Sequence, residues 1–200
     1  MSEVSPTGLT VIDEVKGGGH TLIFSSRLVM ASNTTLQLSL LFAFLYLRAN
    51  NFGGAFHPNG VGTPPQVLAL VSLAFPVIGV LALWTVWTTV NKSRESSALT
   101  GMLWLAMLAA VLTGAVRILL MYQFSWTLDS DGTYADLATL WYAVLLAEFI
   151  GVGLWLLSLV MGHVRGTDRL STAHARAILE QWTYMTGVSI AVYLLIQYAT

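Results

Sequence analysis

Apolar residues along this chain gather into five long runs, separated by short stretches that are polar or rich in glycine and proline. The runs cover about residues 22–47, 66–90, 98–124, 134–163 and 175–198. A helix needs roughly 20 mostly apolar residues to cross the hydrocarbon layer of a membrane, so each run is long enough. The pattern predicts an all-α integral membrane protein whose residues 22–200 form a single bundle of five transmembrane helices.

Composition supports the same interpretation. The chain is 56% hydrophobic and only 10% charged, with a mean hydropathy of +0.70, whereas soluble globular chains carry about a quarter charged residues. Lipid can solvate this much apolar surface directly. A net charge of −1 argues against a nucleic-acid partner. The absence of cysteine excludes disulfides, thiolate metal sites and iron–sulfur clusters.

The orientation of the bundle is predicted from its basic residues. Lys92, Arg94, Arg165, Arg169 and Arg176 lie in or beside two connections at one end, whereas the connections at the other end hold Arg48 and several aspartates. By the positive-inside rule the basic end is cytoplasmic, which places the N-terminus inside and the C-terminus outside. Residues 1–21 contain no basic segment followed by an apolar run. They are predicted to be a cytoplasmic arm rather than a signal peptide, with the glycines at 17–19 as a flexible joint.

Two residues of opposite charge lie well inside the predicted spans. Arg117 is in the third and Glu148 is near the middle of the fourth. A charge at the bilayer centre costs on the order of 2.5 to 3.5 kcal/mol, so an ion pair or a hydrogen-bonded lock between helices is the leading interpretation. A difference in depth of about 10 Å separates the two backbones. A proton-relay carboxylate and an arginine that holds a lipid phosphate are the functional alternatives, and Gln123 could extend a polar network.

No catalytic constellation is visible. None of the four histidines, at positions 20, 57, 163 and 174, lies deep in a span, so no imidazole is placed to bind haem or copper within the membrane. The sequence has no nucleophile elbow, phosphate-binding loop or zinc-protease motif. We therefore predict no catalytic, cofactor-binding or metal-binding residue in this chain.

The order and spacing of several segments resemble subunit III of the haem–copper oxidases, in its short five-span bacterial form. The first helix of that family and its proline-rich outer loop have counterparts here in LLFAFLYLRANN and FHPNGVGTPP. The end of its third helix resembles MYQFSW in this chain. The last two helices of the family resemble two further segments, TYADLATLWYAVLLAEFIGVGLWLLSLVMGHVRG and EQWTYMTGVSIAVYLLIQYA. The likeness extends over roughly residues 22–199.

The polar residues that are typical of that family's helices are replaced by other residues in this chain. Gln123 stands where the family has a buried glutamate, Leu146 and Phe149 stand where it has paired histidines, and Thr186 stands where it tends to have aspartate.

The resemblance implies a non-catalytic accessory subunit that packs against a larger membrane oxidoreductase subunit and holds phospholipid between its helices. It also implies that haem and copper belong to the partner subunit, and that the chain is a multi-pass protein of the bacterial cytoplasmic membrane. The alternative from another class is a small transporter or channel that uses Arg117 and Glu148 along a polar path.

Overall fold

The computed structural model of the chain describes residues 11–51, 56, 64–92, 97–122, 132–166 and 170–198, with side chains from residue 18 onward except that of residue 97. This part of the chain contains five α-helices and no strand. Their bounds are α1 Val11–Ala49, α2 Gln66–Asn91, α3 Ser97–Tyr122, α4 Gly132–Val164 and α5 Thr172–Tyr198. The all-helical prediction is confirmed, and the helices lie where the five apolar runs placed them. Gln123 and most of the predicted connections lie outside the described residues.

The start of α1 differs from the sequence prediction. The first helix begins at Val11, and the glycines at positions 17–19, predicted as a flexible joint, are part of it. Each glycine costs a helix on the order of 1 kcal/mol relative to alanine. A packing contact explains why at least one of them is tolerated, because a Cβ atom on Gly19 would lie 3.3 Å from the Cβ atom of Ala173 in α5.

Consecutive helices run in opposite directions. α1 and α5 are parallel, because Ser26 donates a hydrogen bond to the carbonyl of Ala177 and Thr34 is hydrogen-bonded to Tyr184 further along both helices. α2 runs against α5. The start of α2 meets the end of α5 where Gln197 donates to the carbonyl of Pro64.

Four of the helices form a closed ring and the fifth packs on its outside. α2 contacts α3, α3 contacts α4, α4 contacts α5, and α5 contacts α2. α1 contacts only α5 and α4 among the described helices. We call α2 to α5 the four-helix ring, and we call the contact of α1 with α4 and α5 the α1 seam.

Four helices are long and apolar enough to cross a membrane: residues 18–49 of α1, all of α2, residues 98–122 of α3 and all of α4. α5 falls outside this group. Four of its polar residues are buried against protein: Gln181, Thr186, Ser189 and Gln197. α5 contacts three other helices, α1, α2 and α4, which gives these four side chains protein neighbours.

Candidate functional site

Arg117 points into the four-helix ring. Its side chain is 2% exposed, and Nη2 donates a 2.6 Å hydrogen bond to Oγ of Ser189 in α5. The guanidinium also lies over the ring of Phe149 in α4, with Cζ 4.6 Å from the ring centroid. A cation over an aromatic face is stabilised by the negative potential of the ring, most strongly where water is excluded. Arg117 thus ties α3 to both α4 and α5.

Aromatic contacts extend this cluster to α2. The rings of Phe149 and Trp182 meet edge to face at 5.3 Å, and Trp182 is fully buried. Its indole Nε1 donates a 3.0 Å hydrogen bond to the carbonyl of Pro76. Gly79 makes room for the indole, since a Cβ atom there would lie 2.6 Å from it. These contacts join all four helices of the ring. We refer to the five residues that make them as the ring cluster: Pro76, Arg117, Phe149, Trp182 and Ser189.

Glu148 makes its contact in the α1 seam. Its Oε1 accepts a 3.0 Å hydrogen bond from Nε2 of Gln37 in α1. The amide oxygen of Gln37 in turn accepts a 2.5 Å hydrogen bond from Nε1 of Trp141. Gln37 and Trp141 are buried, whereas Glu148 is half-buried. One buried glutamine therefore joins α1 to two positions of α4 that are two helical turns apart.

An ion pair or a hydrogen-bonded lock was predicted for Arg117 and Glu148, and the described residues show hydrogen bonds from each to another helix but no ion pair between the two. The ion pairs found among the described residues both involve Glu180 and neither includes these two. Successive residues of a helix point about 100° apart. Because Phe149 faces Arg117, the preceding residue Glu148 faces away from the ring interior and toward α1. The two charges instead make separate hydrogen bonds to different helices. Gln123 lies outside the described residues, so its predicted part in a network has no structural description.

The sequence interpretation missed the residues that bond to the two charges, which are Gln37 in the seam and Ser189 in the ring. Gln37 in the first apolar run was not singled out. It is a polar residue 11 positions after Ser26, and 11 residues are about three helical turns, so the two lie on the same face of α1. Both are buried. Ser189 was likewise not singled out. A polar residue on the same face as other polar residues of a membrane helix is the signal that would have indicated these contacts.

Other predicted positions have ordinary structural contacts. Trp141 is buried in the seam. Thr186 donates back to the carbonyl of Trp182. His163 is hydrogen-bonded to Thr100, and no cluster of three or more metal-binding side chains occurs in the described ranges.

A groove follows the surface between α1 and α4. At the basic end of the bundle, a cavity of about 880 Å³ is lined by residues of α1, α4 and α5. A second cavity of about 590 Å³ continues toward the middle of the bundle. Leu22 and Trp155 line both, so the two cavities adjoin, and together we call them the α1/α4 groove. Its far end reaches Asn33, Gln181 and Glu148.

The basic end of this groove holds several groups that can bind an anion. His20, Ser171, His174 and Arg176 all line it. Ser171 is hydrogen-bonded to Nδ1 of His174 at 2.8 Å, which leaves the other ring nitrogen of the histidine available to a ligand.

Two arginines share one carboxylate beside this end. Glu180 accepts hydrogen bonds from Nε of Arg27, at 3.1 Å, and from Nε of Arg176, at 2.8 Å. Two positive charges and one negative charge leave an excess of one positive charge in the group.

These observations define the class of protein: a helical bundle in which four helices are long and apolar enough to span a membrane. Comparison with protein-family models gave no match, and no curated protein sequence matched the chain.

Proposed function

We propose that this chain is a non-catalytic accessory subunit that packs against a larger membrane oxidoreductase subunit and holds phospholipid between its helices, as its resemblance to oxidase subunit III implies. The bundle lies in the bacterial cytoplasmic membrane with the N-terminus inside. Haem and copper belong to the partner.

The observation that carries the proposal is the outward face of α1. Only 11% of the apolar window of α1 is buried within the protein, against 33–44% for the other three candidate spans. Yet its outward face holds Ser32, Thr35 and Ser39, all exposed and spaced to lie on one side of the helix. Small residues on a membrane helix are typical of contacts with other helices, since they allow close approach. The hydroxyls of Thr35 and Ser39 donate to carbonyls of α1 itself. We call these three residues the α1 polar stripe, and we propose that the partner subunit covers it.

In this proposal α5 is the fifth span. It is parallel to α1 and joins α2 through hydrogen bonds near its middle and near its end. Its buried polar residues have protein neighbours, so low hydropathy is no obstacle to crossing the membrane within the bundle. An odd number of spans then places the two ends of the chain on opposite sides.

Affinity purification from mild detergent tests the proposal. The tagged chain is expected to bring down a larger metalloprotein with haem absorbance, identified by mass spectrometry. Replacement of Thr35 by tryptophan is expected to abolish this recovery, because a large ring on the α1 polar stripe blocks close helix contact. The matched control is Val111→Trp on the exposed face of α3. Full recovery of the wild-type chain alone would overturn the proposal.

The geometry favours this function over a transporter. A polar path through both Arg117 and Glu148 requires the two side chains to face a common space, but Arg117 packs on Phe149 inside the ring and Glu148 is bonded to Gln37 in the α1 seam. A flux in liposomes that is lost in Glu148→Gln would reverse this preference.

A further inference from the structure

The deeper of the two cavities in the α1/α4 groove has polar groups at the middle of the membrane-spanning helices. Its volume is about 590 Å³, and small-molecule sites commonly have volumes of about 300–1,000 Å³. Glu148 lines it from α4, 16 residues from Gly132 and 16 from Val164. Asn33 lines it from near the midpoint of the α1 span. The cavity therefore offers hydrogen-bonding groups at a depth where the hydrocarbon of a membrane has none.

Two of these polar groups lack partners. Oε1 of Glu148 accepts a hydrogen bond from Gln37, but Oε2 is enclosed and has no hydrogen-bond partner among the described residues. Gln181 of α5 lines the same cavity and is 3% exposed. Its amide makes no side-chain hydrogen bond within the described part of the chain. Buried polar groups are normally hydrogen-bonded, so both indicate a missing partner in the cavity.

The carboxyl group also lacks a cation. No lysine, arginine or histidine is among the described residues that line this cavity. Arg117 packs on an aromatic ring inside the four-helix ring, and Arg27 and Arg176 both bind Glu180. A charge at the centre of a membrane is costly unless it is paired. A positively charged ligand would supply the counter-ion that the chain does not give to Glu148.

An ammonium group matches the polar end of the cavity. It has three N–H donors and no acceptor, whereas Glu148, Gln181 and Asn33 offer one carboxylate and two amide oxygens. The terminal torsion of a glutamate side chain is soft, so a small rotation of the carboxylate turns Oε2 toward the cavity. Hydrogen bonds between charged groups are the strongest of those available here.

The rest of the cavity is apolar and open to the side. Leu22, Val29 and Trp155 line it, and a Cβ atom on Gly151, which lines it as well, would meet nothing within 4 Å. An apolar group attached to the ammonium can therefore lie beside the indole of Trp155. The headgroup of a bilayer lipid is about 15 Å from the membrane centre, so the ammonium has to come from a smaller molecule that dissolves in the hydrocarbon layer.

We infer that this cavity binds one amphiphilic amine as its ammonium ion. Glu148 is the counter-ion, Gln181 and Asn33 are further acceptors, and the apolar part of the ligand lies along Trp155 and over Gly151. The inference goes beyond the proposed function and does not use the partner subunit, so either can fail without the other.

Energy transfer from tryptophan to a bound dansyl group tests the inference. The full-length chain in phosphatidylcholine nanodiscs is titrated with dansylcadaverine, a primary amine joined to an aromatic ring. The matched probe has a hydroxyl group in place of the amine. We expect the wild-type chain to bind the amine at least about tenfold more tightly than the alcohol, because only the amine forms a charged hydrogen bond. Empty nanodiscs give the background from membrane partitioning.

Four variants locate the site. Glu148→Gln keeps the shape of the side chain and should reduce the affinity for the amine to that for the alcohol. Gln181→Leu should weaken amine binding roughly fivefold, the loss expected for one neutral hydrogen bond. The matched control for charge is Glu180→Gln, a carboxylate outside the lining of this cavity. Gly151→Leu should abolish binding of both probes by filling the cavity, whereas Gly101→Leu, where a side chain also meets nothing within 4 Å, should have no effect.

Equal affinity of the wild-type chain for the amine and the alcohol would overturn the assignment of a cation. Full amine binding by Glu148→Gln would overturn the role of the carboxylate as counter-ion. Displacement of the amine by phosphatidylethanolamine in the nanodisc would show that a lipid headgroup reaches the site and would overturn the small-molecule assignment. If Glu148→Gln does not fold, unchanged amine binding in both Gln181→Leu and Gly151→Leu would overturn the location.

Discussion

The ring cluster and the α1 seam both bury polar side chains in an apolar bundle, but they do so in different ways. In the ring, Arg117 has a hydroxyl and an aromatic face as neighbours and is almost fully enclosed. In the seam, Glu148 has one amide partner and lies at the end of an open groove. The enclosed site joins four helices, so its contacts stabilise the fold. The open site borders the groove between α1 and α4.

Loss of the Trp182 indole from the ring cluster should lower the free energy of unfolding more than the other changes below. Trp182→Ala removes a fully buried side chain together with its hydrogen bond to Pro76 and its contact with Phe149. We expect the free energy of unfolding to fall by about 3–5 kcal/mol. Reversible unfolding in mixed detergent micelles, followed by circular dichroism, measures it. The control Trp84→Ala, on the exposed face of α2, should cost much less. Equal losses would mean that the ring interior is not the main packing centre.

A smaller effect is expected in the seam. Glu148→Ala leaves the amide of Gln37 without its acceptor in a buried contact, which should lower the free energy of unfolding by about 1–3 kcal/mol. Glu148→Gln keeps a side-chain oxygen at the same place and should cost less than about 1 kcal/mol. The same unfolding assay compares them. Similar losses in both variants would show that the charge, rather than the hydrogen bond, holds α1.

The smallest expected value is the coupling energy between Arg117 in the ring cluster and Glu148 in the α1 seam. Arg117→Met and Glu148→Gln change side chains that are bonded to different helices. We expect their unfolding free energies to add within about 0.5 kcal/mol in a double-mutant cycle. A coupling energy above about 1 kcal/mol would show that the two charges interact directly and would make the ring and the seam one site.

Sequence patterns alone predicted the helices well, because a run of apolar residues long enough to span a membrane has few alternatives to a helix. The predicted bounds of α2 and α5 differ from the observed ones by only a few residues. The start of α1 was less predictable, since three glycines normally indicate a break. The close approach of Gly19 to Ala173 in α5, where an added Cβ atom would lie 3.3 Å away, is a contact between distant parts of the chain.

The partners of the buried charges were not predictable in the same way. Arg117 and Glu148 stood out because charges are rare in spans, and opposite sign suggested that they pair. Which helix each one faces depends on rotation about the helix axis and on the order of helices around the ring. The sequence constrains neither until it is known that Phe149 faces α3. Ser189 and Gln37 were therefore found only in the structure.

The α1 seam has a consequence for the order in which the bundle is completed. α1 is made first, but its partners Ala177, Glu180 and Tyr184 lie 150 to 153 residues later in the chain. Closing contacts between distant parts of a chain is slow, because the entropy of the intervening loop is lost before any contact is gained. During synthesis the face of α1 that packs on α5 therefore stays uncovered until α5 has been inserted, although α4, which Gln37 contacts, is made earlier. The last helix completes the ring and seats the first one in a single step.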